Sequence, residues 1–190
     1  MDDPLYLHRY YKDGLQPCRS TSELSDHEIL RFMETHFPEH IWFHADPPAR
    51  IARRRKIESW MYCEFVSVGG KPETEHPCYF TLNESPFLKE FAYYEGTPRE
   101  IRIPLSAFSS TNVSFTYPDS FFSEWLHRHQ SDPLYLRELN GKVFSLDEML
   151  QLLRNKAIPE NVYMNTPTGG FQFYIEAQVW DYKLLDSFSI

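Results

Sequence analysis

At 190 residues the chain has the length of one ordinary domain, and its 42% hydrophobic and 16% aromatic residues are ample material for one core. Charged residues at 24% argue against disorder as the default state. A formal net charge of −8 disfavours a nucleic-acid coat or a membrane-surface protein, because either needs a basic face to meet phosphates.

In chain order, Leu5 to Tyr11 reads as a strand by its alternation. Ser25-Asp-His-Glu28 is a capping box, and the helix it opens carries Ile29, Leu30, Phe32 and Met33 before Pro38 closes it. Ile41 to His44 is a short apolar segment with the look of a strand. Pro47-Pro48 starts a helix that the Gly69-Gly70 pair stops near Val68. Ile57, Trp60, Met61, Phe65 and Val68 give it an apolar stripe in which Glu64 is discordant. Strands follow at Cys78 to Leu82, Glu100 to Leu105 and Asn112 to Thr116, with Ile101, Ile103 and Leu105 inward. A short aromatic helix is expected over Ser120 to His127, and a second capping box, Ser145-Leu-Asp-Glu148, opens a helix to about Asn155. The longest strand signal is Phe171 to Trp180.

Helices in the first half and strands in the second predict one α+β domain over 1–190, with a mixed or antiparallel sheet, split or continuous. The segment from 132 to 168 is the candidate for an insertion. No apolar run approaches the ~20 residues that span a bilayer. The acidic start Met1-Asp2-Asp3-Pro4 does not read as a secretory signal. Cys18, Cys63 and Cys78 are odd in number and form no C-x-x-C, so they read as reduced thiols. A cytoplasmic location is expected.

Several candidate sites emerge. On the terminal strand, Glu176 shares a face with Gln172, Tyr174, Gln178 and Trp180. That face is either the solvated side of an antiparallel sheet or a polar cleft over it. Arg50, Arg53, Arg54, Arg55 and Lys56 are a basic run on the Pro47 helix. At ~100° per residue they cannot share one side, so they are a solvated face or a phosphate contact. His36, His40 and His44 recur every four residues, but Pro38 breaks the helix that would align them as metal ligands, and no metal is expected. The aromatic pairs, Tyr93-Tyr94 among them, read as core or as a partner-binding patch. No Gly-rich phosphate loop, G-x-S-x-G or H-E-x-x-H occurs.

Three stretches carry a family resemblance. Tyr174-Ile-Glu-Ala-Gln-Val-Trp180, followed by Lys183 to Ile190, resembles the end of ADP-ribosyltransferase-like domains, where a catalytic Glu lies in a late strand. Cys78-Tyr-Phe-Thr-Leu-Asn-Glu-Ser85 is similar to the second motif of their His-Tyr-Glu branch, in which a Tyr precedes a short helix. Leu5-Tyr-Leu-His8-Arg-Tyr is placed to supply the first motif. In segment order the DNA-modifying, toxin-type members look most similar. The resemblance implies NAD as substrate and transfer of ADP-ribose to an unidentified acceptor, protein or nucleic acid. It implies Glu176 as the carboxylate that stabilises an oxocarbenium-like sugar, and Tyr79 stacked on nicotinamide. His8 would bind the adenosine-side ribose or the carboxamide, and Ser85 would position the second motif. The alternative from another class is a non-enzymatic binding protein, an inhibitor or immunity-type partner, whose acidic, aromatic surface meets a basic target. A degenerate transferase fold that binds without turnover lies between the two. An enzyme should converge Glu176, Tyr79 and His8 on one pocket.

Overall fold

Local sequence rules set most element boundaries. In the computed structural model, which describes residues 4–12, 15–37, 46–93, 98–160, 162–166 and 169–188, β1 (Tyr6–Lys12) is followed by a 3-10 turn at Thr21–Glu23 and by helix α1 (Asp26–His36). Both arms of the Ser25–Glu28 capping box are made. Asp46 caps helix α2 (Pro47–Ser67), with its two prolines in the first turn. Gly69, just past the end, takes a φ of +95°, the left-handed conformation that stops helices. After β2 (Cys78–Leu82) come α3 (Pro86–Tyr93), β3 (Pro98–Pro104), β4 (Val113–Thr116) and α4 (Ser120–Arg128). The chain continues through β5 (Phe144–Ser145), α5 (Leu146–Arg154), β6 (Tyr163–Thr166), β7 (Gly169–Gln172), β8 (Glu176–Val179) and α6 (Tyr182–Asp186). The second capping box, Ser145 with Glu148, is also formed. The expected strand at 41–44 lies outside the described residues, as do His40, His44 and Tyr94; for Tyr93 only the backbone is described.

The protein is α+β. Six strands form an antiparallel sheet in the order β3-β1-β2-β8-β4-β5, and β6 and β7 make a separate two-stranded sheet. Residues paired across strands share a face. One face is therefore apolar: Leu7, Phe80, Leu82, Ala177, Val179, Val113 and Phe115 belong to the larger core, with Phe144, Met149 and Leu185. Through Leu139, Phe144 and Met149 the stretch 132–168 takes part in that core.

The opposite face is polar yet covered, except at the β3 edge, where Arg102 is exposed. Arg102, His8, Thr81, Glu176 and Thr116 are paired in one row across β3, β1, β2, β8 and β4. Gln178 and Ser114 sit in the next row. Helix α2 packs Ile57, Met61 and Phe65 with Trp180 and Val143 to form a second core beside these polar residues.

β1 pairs with β2 only at Leu7↔Leu82 and His8↔Thr81, whereas it stays on β3 through to Lys12↔Pro98. The sheet thus splits between β1 and β2. The Arg9 guanidinium bridges the split, donating through Nη1 to the Tyr79 carbonyl at 2.8 Å.

Two expectations need correction. Val68 does not complete the apolar stripe of α2; it is 37% exposed, because the helix ends at Ser67. Nor is Phe171 to Trp180 one strand. β7 stops at Gln172, and Phe173 to Ile175 leave the ladder before β8 begins at Glu176. Phe171 turns aside to meet the rings of Phe87 at 5.0 Å and Phe122 at 4.4 Å.

Phe65 is fully buried and stacks on Trp180 with ring centroids 5.8 Å apart. Phe65→Ala should therefore cost about 3–5 kcal/mol, measured as a lower urea midpoint with an unchanged slope.

Candidate functional site

The late carboxylate is not on a solvated face. Glu176 is only 6% exposed, and its Oε1 accepts the backbone N–H of Ser120 at 3.1 Å and the Gln178 amide at 3.0 Å. Ser120 is the first residue of α4, and the N-cap Asp119 accepts from the N–H groups of Phe121 and Phe122 through Oδ1. Two carboxylates therefore share the positive end of one helix. Gln178 is itself held in place: Ser114 Oγ donates to its Oε1, and its amide also donates to Thr116 Oγ1. Burial, and then the charge of Glu176, push the Asp119 carboxyl up to about 7, against the helix N–H groups and Arg54.

Helix α2 contributes from above. Ile51, Arg54, Glu58, Met61 and Phe65 recur at the 3–4 spacing of a buried stripe, and two of these five positions carry charge. Arg54 lies over the Tyr79 ring at 4.7 Å and the Phe121 ring at 4.2 Å. Burial acts to lower the Arg54 pKa, but Tyr79, Glu176 and Glu58 outweigh it and hold the guanidinium firmly protonated. Glu58, fully buried, accepts the Tyr79 hydroxyl at 2.8 Å. Burial, with the Glu58 and Glu176 charges, raises the Tyr79 phenol well above its ordinary range. Tyr174 is raised likewise by burial and by Asp119 and Glu176.

On the other side of the split, His8 is buried in mid-strand with its Nδ1 2.6 Å from Glu100 Oε1. The splayed strands, the 3-10 turn and α1 enclose a cleft of about 860 Å³. His8, Tyr79, Thr81, Tyr174 and Glu176 all line it.

His8, Tyr79 and Glu176 are thus brought together, and Ser85 is not. Ser85 lines a separate cavity of about 320 Å³. Its hydroxyl accepts the Leu88 N–H at the start of α3, and its own N–H donates to the hydroxyl of Tyr10. Tyr10 and Leu88 line the cleft, so Ser85 reaches the site indirectly, through those two partners.

The basic run divides around α2. Arg54 turns inward, Arg55 pairs with Asp26, and Arg53 approaches Glu124 at 3.9 Å. His36 packs against Phe32.

Glu58, Asp119, Glu100 and the inward Arg54 were not singled out from the sequence. For Arg54 and Glu58 the signal was present as their register with Met61 and Phe65. For Asp119 it was an acidic residue just before an aromatic helix.

Behind Tyr79 and Glu176 the Arg54 guanidinium balances Glu58, Glu176 and Asp119, while the cleft itself is lined by Arg9, Lys12 and Arg19 as well as Glu23 and Glu176. The lining therefore carries both signs, and the preorganised carboxylate of Glu176 can offset positive charge that develops beside it. Among the described residues, the buried atoms Arg54 Nη1, Asp119 Oδ2 and Ser120 Oγ beside Glu176, and Arg9 Nε at the cleft, find no hydrogen-bond partner.

No protein-family model, curated protein or solved structure matches the chain.

Asp119 titrates above its ordinary 3.8, so the native state keeps a proton that the unfolded chain releases. Stability should therefore fall as pH rises from about 4 to about 7. Asp119→Asn keeps an oxygen for the helix cap and removes the charge. It should flatten that slope and melt higher than wild type at pH 8, by at least ~1 kcal/mol. Parallel slopes for the two proteins in thermal melts from pH 4 to 8 would show that Asp119 ionises freely.

Proposed function

We propose that this chain is an NAD-using transferase of the ADP-ribosyltransferase kind, which moves ADP-ribose to a protein or nucleic-acid acceptor. The observation that carries this reading is the convergence of His8, Tyr79 and Glu176, from three distant segments, on one cleft at the split of the sheet. The three motifs that resemble the family meet there in space.

The chemistry follows from charge. Breaking the bond between nicotinamide and ribose sends the electron pair to the departing ring and leaves an oxocarbenium-like sugar. Glu176, fixed by Ser120 and Gln178, accepts a ribose hydroxyl and offsets that positive charge without having to reorganise. Tyr79 offers its ring to nicotinamide, with Arg54 already over that ring. His8 has Nδ1 engaged by Glu100, which leaves Nε2 for the ribose or the carboxamide. The acceptor's nucleophile then bonds to the sugar carbon and loses its proton.

Purified wild-type protein should release nicotinamide from labelled NAD, and Glu176→Gln should release it about 10²–10³-fold more slowly while melting as a folded protein. Binding of NAD without release by wild type would make the chain a binding protein on the same fold. If wild type neither binds nor cleaves NAD, the proposal fails.

A further inference from the structure

A carboxylate with no exposed surface is a costly thing to place on a packed helix stripe. Glu58 occupies such a place, between Arg54 and Met61 on the face of α2 that enters the second core. An aliphatic side chain there would serve packing at least as well, so its retention asks for a specific task. The charge is satisfied by three donors from three segments. Ser22 Oγ and Tyr79 Oη both donate to Oε1, at 2.9 and 2.8 Å. His76 Nδ1 lies 2.8 Å from Oε2.

Two of these partners belong to facing sides of the cleft. Tyr79 lies on its sheet side. Ser22 is the buried middle residue of the 3-10 turn whose neighbours Thr21 and Glu23 line the cleft, as does the following Leu24. The single oxygen Oε1 therefore ties floor to wall. A second strap closes the loop: the Ser20 N–H donates to the Tyr182 hydroxyl, which donates to the His76 carbonyl at 2.7 Å. Ser22 N–H returns to Ser20 Oγ at 3.2 Å. His76, Glu58, Ser22, Ser20 and Tyr182 form a closed ring of hydrogen bonds, and Tyr79 is attached to it at Glu58.

We propose that Glu58 is the positioning residue of the cleft, holding the Tyr79 ring at a set angle and the 20–24 wall at a set distance from it, so that a planar ligand ring can enter between them. The inference rests on the reading of the cleft as an NAD site for the identity of that ring, but not for the clamp itself. Glu58 makes no contact with the reacting atoms in this arrangement. It acts through Tyr79 and Ser22.

The test combines a spectroscopic reading with binding of NAD. In protein labelled with ζ-13C tyrosine, the Tyr79 carbon is assigned by its loss in Tyr79→Phe. Glu58→Gln should shift that resonance, since the phenol loses a carboxylate acceptor, and should weaken NAD binding about tenfold, the loss of one charge-assisted hydrogen bond. Tyr79→Phe should weaken binding similarly, and the double variant should be no worse than either single one, because both cut the same tie. Should Glu58→Gln fail to fold, Ser22→Ala cuts only the wall side and should weaken binding with a smaller movement of the Tyr79 signal. An unmoved Tyr79 signal in Glu58→Gln, or wild-type affinity in a folded Glu58→Gln or Ser22→Ala protein, or additive losses in the double variant, each overturns the proposal. If wild type binds no NAD, the transferase reading falls instead. The tyrosine signal then still decides whether Glu58 holds the ring.

Discussion

A carboxylate in the middle of a covered β-sheet is the constraint around which the rest is arranged. Glu176 stands in a row of polar side chains, directly opposite Thr81 on one neighbouring strand and Thr116 on the other. An ionised group there loses most of its hydration, and only nearby donors and positive charge can replace it. The helix that begins at Ser120 supplies an N–H and the positive end of its dipole. Gln178 supplies an amide, and Arg54 supplies the balancing cation from α2. Each of these has its own support. Gln178 is anchored on Ser114 and Thr116, and Ser114 in turn accepts the Trp180 indole N–H at 2.8 Å. The position of α4 and the inward turn of Arg54 on α2 are thereby tied to one side chain.

A common device recurs at the three residues that meet in the cleft. Each is held by a polar partner outside its own strand: His8 by Glu100, Tyr79 by Glu58, and Glu176 by the first turn of α4 beside Asp119. Such partners cost stability where the carboxylate is buried, as Glu58 and Glu176 are, because it gives up its hydration. Their benefit lies in orientation, because a side chain with two fixed ends does not sample other rotamers. The second core beside them compensates. Ile57, Met61, Phe65 and Trp180 bury large apolar surfaces next to the charges, and burial of that kind stabilises by about 1.5–3 kcal/mol per side chain.

How much of this was legible in the sequence depended on how local the controlling physics is. The two capping boxes and the Pro-Pro helix start are set by contacts three or four residues apart, and they appear where the pattern placed them. The α+β class followed from the same patterns. The continuous strand from Phe171 to Trp180 was misread because period-two alternation persists across a break. Nothing within that window reports that Phe173 to Ile175 leave the ladder, or that Phe171 in β7 meets Phe87, 84 residues earlier in the chain. Glu176 was legible as an anomaly between apolar neighbours, but its burial depended on α2 and α4 crossing that face. The partners of the site were the least legible. Asp119, Glu58 and Glu100 are ordinary acidic residues until the fold brings them to Glu176, Tyr79 and His8.

Arg54 and Glu58 show where a stricter reading of the same pattern would have gone further. Within the helix the apolar positions Ile51, Met61 and Phe65 are separated by ten and four residues, and the gap is filled at helical spacing by Arg54 and Glu58. A stripe that keeps its phase while its residues change from apolar to charged is not a solvated face, because Ile51, Ile57 and Met61 around it are buried. It marks a place where the helix stops packing against hydrocarbon and meets polar groups on the opposing element. Glu64, by contrast, is exposed and lies off this phase, so its discordance was with a misdrawn stripe. The charged interruption of an otherwise apolar stripe thus locates, from the helix side, the polar cluster behind the cleft, as the polar row through Glu176 locates it from the sheet. The two coincide at Tyr79, between Arg54 above its ring and Glu58 at its hydroxyl.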